Sequence, residues 1–141
     1  MNYLPWAILA LVAYSFVAPL MREGTSGSGA IPSDVAALVA NAMLIVGTIA
    51  VIAVTDQRVT TYLRHPDMRL VAAAGVCLTI GILAYYRALA RGPVSIVAPV
   101  FALFLVGSSV VGVVALDEPL TLRKVVGVLL AVVAIVLVAG E

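Results

Sequence analysis

A chain of 141 residues that is 64% hydrophobic and 11% charged cannot cover a water-soluble surface, since soluble domains carry about 25% charged residues. Its net charge of +1 offers no clustered basic face for a nucleic acid. A single cysteine, Cys77, and a single histidine, His65, leave no material for an internal disulfide or for a cysteine- or histidine-built metal site. The composition therefore points to an all-α integral membrane protein whose first partner is the lipid bilayer.

Charges cut the chain into five apolar runs of about 16 to 25 residues, where a helix needs roughly 20 to cross a ~30 Å hydrocarbon core. Transmembrane helices are expected near 4–21, 35–55, 70–90, 94–116 and 121–139. The runs lack the period-two alternation of a membrane barrel, so strands are not expected. The first is read as a retained span rather than a signal peptide, because no Lys or Arg precedes it and PLMREG is not a small-residue cleavage site. GTSGSGAIPS (24–33) follows as a flexible loop outside the membrane. After the second helix, TDQRVTTYLRHPDMR can lie along the membrane surface. ARGPVS is so short that the third and fourth helices must form an antiparallel hairpin, with Gly92 suited to a helix C-cap and Pro93 to a helix start. In LDEPLT, Pro119 ends the fourth helix and Thr121 is placed to cap the fifth.

Five spans put the termini on opposite faces. The N-terminal face then holds Arg58, Arg64, Arg69, Arg123 and Lys124, and the other Arg22, Arg87 and Arg91. Five against three is a small bias toward an inside N-terminus. Arg87 is costly at depth, and one turn before Arg91 it can snorkel to the same face. Every acid sits at the end of a run: Glu23, Asp34, Asp56, Asp67, Asp117, Glu118 and Glu141.

Polar groups inside the runs are the candidates for a substrate cavity, because in lipid each needs a hydrogen-bond partner or water. They include Tyr14, Asn41, Tyr85, Tyr86 and Ser95. Asn41 has two readings, a bond to a neighbouring helix or a place in a cavity wall. Tyr85 and Tyr86 point in different directions on a helix, so at most one faces a cavity, the alternative being an interfacial belt. Pro99 breaks the ladder of the fourth helix and frees a carbonyl near Ser95, either as a gating hinge or as a static kink. Glu118 is either a coupling carboxylate or part of a boundary cluster with Asp117, Arg123 and Lys124 that fixes helix four against helix five. Small residues, among them Gly75, Gly81, Gly107, Gly112 and Gly127, suit close helix packing.

From the third helix onward the segments AYYRALARGPVSIVAPVFAL (84–103) and LDEPLTLRKVVGVLLAVVAIVLVA (116–139) resemble the EamA-like repeat of the drug/metabolite transporter superfamily. Pro99, Glu118, Leu120, Thr121 and Gly127 fall on that pattern. The family retains an acid at the position of Glu118 and not at Asp117. Leu105 stands near the place where the family often has a second proline. The resemblance implies that the whole chain, 1–141, is one five-helix half-transporter repeat. Inverted repeats enclose a midplane cavity only when both halves are present, so the resemblance further implies a homodimer, with an antiparallel pair recreating the fused form.

The expected function is a carrier for a small organic metabolite or amphipathic compound in the cytoplasmic membrane of a prokaryote. The alternative is a non-transporting membrane subunit that pairs with a larger protein or paralogue. An enzyme is not expected, since no nucleophile–base or metal constellation is present, and no cofactor is implied. A small multidrug-resistance exporter would carry an acid within its first helix, where this chain has Tyr14 and Ser15.

Overall fold

The computed structural model describes residues 3–140, with Ala139 through its backbone alone; Glu141 lies outside the described residues. All regular structure among them is helical. Among the described residues, four stretches are long and apolar enough to cross a membrane: Leu4–Gly24, Ser33–Val54, Met68–Arg91 and Val94–Ala115. A helix satisfies its own backbone in lipid, which a lone strand cannot do. Leu44, Ile45, Ile80, Val114 and Leu130 stand exposed along the helices, as a surface facing hydrocarbon requires.

The first stretch is two helices, α1 (Leu4–Ser15) and α2 (Val17–Gly24), where one unbroken helix over 4–21 was expected. Pro19 is the cause. It has no N–H for the Ser15 carbonyl and its ring crowds that carbonyl, so the helix restarts with Pro19 in its first turn, where a missing donor costs nothing. At the break the Phe16 N–H tightens onto the Ala13 carbonyl, 3.3 Å away. The Ser15 hydroxyl donates to the Leu11 carbonyl at 2.8 Å.

α3 (Ser33–Val54) starts after Pro32, whose φ of −55° and ψ of 137° are extended, and carries Asp34 in its first turn, a favourable place for an anion against the helix dipole. It ends where Asp56 turns left-handed at φ +52°. The Gln57 N–H then returns to the Ile52 carbonyl at 3.2 Å, the bond pattern that closes many helix ends around glycine. A single turn, α4 (Val59–Tyr62), interrupts the surface stretch before α5 (Met68–Arg91).

The fourth span is likewise divided, into α6 (Val94–Ala102) and α7 (Phe104–Ala115), with Pro99 inside α6. The interruption falls at Leu103, whose N–H would ordinarily bond Pro99 and instead meets the Val100 carbonyl at 3.2 Å. α8 (Leu122–Ala139) is capped by Thr121, as its sequence predicts: the hydroxyl accepts the Lys124 N–H at 3.3 Å. α8, where the fifth span is expected, has 18 residues.

Contacts divide the chain into two units, Pro19–Arg91 and the pair of segments Met1–Ala18 with Gly92–Glu141. In the first, α3 packs on α5, and Ala37, Tyr86 and Leu89 are buried. In the second, α6 packs against α7 and α8, α7 also meets α8, and Gly112 is buried on α7.

Candidate functional site

The end of α7 assembles a polar cluster from a short piece of chain. Leu116 closes the helix, and Asp117 adopts φ +51°, a left-handed conformation that aspartate tolerates better than most side chains. That turn sends the chain backward, so the Glu118 N–H reaches the Gly112 carbonyl at 3.1 Å. The Glu118 carboxylate then lies over Gly112. A Cβ there would meet its Cδ and Oε1 at 3.3 Å and its Oε2 at 3.4 Å. A side chain at this position would thus press on the Glu118 carboxylate, which would have to give by a few tenths of an ångström.

Lys124 completes the cluster. Its Nζ donates to Glu118 Oε2 at 3.0 Å, with both side chains about half exposed. Thr121 caps α8 through the Lys124 backbone, so the cap fixes the base of the residue that holds the carboxylate. Glu118 and Lys124 stand at the rim of a cavity of about 320 Å³, whose remaining walls are Leu105, Val106, Ser109, Gly127, Val128 and Ala131. The Ser109 hydroxyl is engaged with the Leu105 carbonyl at 2.9 Å. The cavity therefore offers a charged pair at one end and apolar side chains beyond it, a pattern that suits a small amphipathic guest.

The other unit carries a second charged contact. Arg87 on α5 grips Asp34 on α3 with two parallel bonds, Nε to Oδ1 at 3.0 Å and Nη2 to Oδ2 at 3.1 Å. Arg87, expected to be able to snorkel to the face of Arg91, has a carboxylate partner across the helix pair, with both side chains about half exposed. The fork geometry is one that lysine cannot reproduce. Arg22 on α2 donates to the Leu89 carbonyl at 2.7 Å, a cation near the C-terminal end of α5 where the helix dipole favours it. Leu89 itself is fully buried beside this contact.

The remaining candidates are scattered. Tyr14 on α1 and Ser95 in the first turn of α6 are exposed, and neither lines the cavity. Asn41 on α3 is half-buried and donates to the Ala37 carbonyl of its own helix at 2.8 Å, a third outcome beside the interhelical bond and the cavity wall. Tyr86 is buried and Tyr85 half-buried, with ring centroids 5.9 Å apart and planes tilted by 39°. Pro99 is half-buried within α6. Of the expected site residues, Glu118 is the one the structure places at the cavity. Lys124, Ser109 and Gly112 join it. Their signal was the charge pair six residues apart and a glycine six residues before the acid.

Asp34 was legible only as an acid at a helix start. A consecutive pair of helices brings the start of one and the end of the next to the same membrane face, and that placement could have suggested Arg87. Among the described residues no three His, Cys, Asp or Glu side chains gather as a metal site. The family model described as the EamA-like transporter family matches residues 1–140. No curated protein and no solved structure matches the chain.

Proposed function

The chain belongs to the EamA-like transporter family, and from that premise we propose that it is a five-helix half-carrier, one domain over 1–141, with α8 as the fifth span. A second copy supplies the other half, and the pair moves a small organic metabolite or amphipathic compound across the cytoplasmic membrane of a prokaryote. The observation that carries this reading is the cavity of about 320 Å³ beside Glu118 and Lys124, a polar-rimmed apolar recess in a family of transporters. Within one unit Tyr14 and Ser95 are proposed as substrate-facing positions with Pro99 as a hinge, and within the other Asn41 and one of Tyr85 and Tyr86. An antiparallel pair is favoured over a parallel one, because only inverted halves exchange inward and outward access by symmetry. The five-to-three split of Lys and Arg between faces is small enough for both insertions.

Two measurements test this. Purified protein in liposomes, given a panel of small metabolites and amphipathic compounds, should accumulate or release at least one of them. A chain that stays inert until a larger membrane partner is added would be the non-transporting subunit instead. A reporter fused at the C-terminus should be active on both sides of the membrane, and one basic residue added within 24–33 should swing the balance. A C-terminus found on one side only, unmoved by the added charge, would leave parallel or heteromeric arrangements.

A further inference from the structure

The recess beside Glu118 and Lys124 narrows the chemistry of its guest, given the carrier reading above, on which the inference rests. Its volume of about 320 Å³ lies at the small end of ligand pockets, which run from about 300 to 1,000 Å³. At one end is the ion pair, with Lys124 Nζ 3.0 Å from Glu118 Oε2. The walls beyond it are Leu105, Val106, Val128 and Ala131. Ala131 stands about 10 Å further along α8 than Lys124. Gly127 leaves its part of the wall open, since a Cβ there would meet nothing within 4 Å.

Both charged residues are held by the backbone and not by a guest. The Glu118 N–H is tied to the Gly112 carbonyl at 3.1 Å, and the Lys124 N–H to the Thr121 hydroxyl at 3.3 Å. Their mutual contact uses one of the three donors of the ammonium and one acceptor site of the carboxylate. Unused donors and acceptors therefore stand side by side, and the pair is net neutral. A cation must compete with Lys124 for Glu118 and leave the lysine without its partner; an anion does the converse. Either leaves one uncompensated charge beside apolar walls, which is unfavourable. A guest bearing both charges on one carbon engages both groups and breaks nothing. Its ammonium donates to Glu118, its carboxylate accepts from Lys124, and the four charges alternate in sign around a ring.

We propose that the recess takes a small zwitterion, an amino-acid head against the Glu118–Lys124 pair with an apolar side chain lying along Val106, Val128 and Ala131 past Gly127. Charges at opposite ends of a longer molecule meet a pair 3.0 Å apart only by folding that molecule back on itself. Adjacency of the two charges is therefore part of the selection.

The test is equilibrium binding of four isotope-labelled probes to the full chain in lipid nanodiscs, corrected for empty nanodiscs. Leucine is the zwitterion. Isoamylamine and isocaproate keep its tail and carry the ammonium or the carboxylate alone, and aminocaproate is its isomer with the charges at opposite ends. Leucine should bind about tenfold tighter than each of the other three, the factor that one charge-assisted hydrogen bond supplies. Lys124→Gln should turn the preference toward isoamylamine and Glu118→Gln toward isocaproate, reversals that a misfolded variant would not produce. Gly127→Val should weaken leucine about tenfold by filling the recess, with the order of the probes unchanged. Failure of leucine to bind, any other probe binding as tightly, or a preference unmoved by both charge substitutions would each overturn the proposal. Selective binding of leucine without transport of any compound in liposomes would instead refute the carrier reading and leave the site standing.

Discussion

Gly112 offers a direct measurement of whether Glu118 is held where the structure puts it. Alanine in place of a helix-interior glycine gains about 0.8–1.0 kcal/mol in helix propensity. Against that gain, the new Cβ would sit 3.3 Å from Glu118 Cδ and Oε1, so the carboxylate must shift by a few tenths of an ångström. The shift loosens the 3.0 Å contact with Lys124, and an exposed pair of this kind is worth about 0.2–1 kcal/mol. The two effects nearly cancel. Gly112→Ala in the native background should therefore change stability by about −0.2 to +0.8 kcal/mol. In a Glu118→Ala background nothing obstructs the Cβ, and the same change should give the full gain of about 1 kcal/mol. Reversible unfolding of the four proteins in mixed micelles completes a double-mutant cycle, with an expected coupling of about 0.2–1 kcal/mol. If Gly112→Ala has the same effect in both backgrounds, the carboxylate does not rest on this glycine and the geometry of the cluster is refuted.

Four further outcomes are expected. Asp56→Gly should stabilise by up to about 1 kcal/mol, because glycine adopts φ +52° without the left-handed penalty; a loss of unfolding midpoint in micelles would show that the aspartate side chain matters more than its backbone. Thr121→Ala should destabilise by about 1 kcal/mol or less, given a cap bond as long as 3.3 Å, and Thr121→Ser should restore it, with amide exchange at Lys124 reporting the fraying. Arg87→Asp and Asp34→Arg should each loosen α3 from α5, while the double exchange recovers much of the stability; a double variant worse than either single would contradict a paired role. Glu118→Gln should lower transport of whichever compound the panel identifies, and Asp117→Asn should lower it less. The reverse order would remove Glu118 from the site.

Much of the helical layout could be read from the chain because its causes are local. A run of apolar residues about as long as the bilayer is thick can satisfy its backbone only as a helix. The starts and stops depend on residues within a few positions, so Thr121 at a cap was legible, whereas the interruption expected on the Ser95 side of Pro99 falls at Leu103 instead. The division at Phe16 has an equally local cause in Pro19, a proline inside a run that is otherwise almost uniformly apolar. Glu118 could be singled out from its place in a repeat pattern, but its environment could not. Pattern says that an acid stands at the boundary; it does not say that the backbone turns left-handed at Asp117 and folds the carboxylate onto Gly112.

What only the tertiary structure decided are the contacts that depend on how helices are rotated and paired. Asp34 and Arg87 are 53 residues apart, and each alone reads as an ordinary boundary charge. Their forked contact exists because α3 packs on α5 with both residues facing the same seam. Arg22 reaching the Leu89 carbonyl, 67 residues away, has the same origin. Hydropathy fixes depth in the membrane, a one-dimensional quantity summed along the chain. Rotation about each helix axis is set by packing between segments, and in an almost uniformly apolar sequence the residues of one segment carry little record of it.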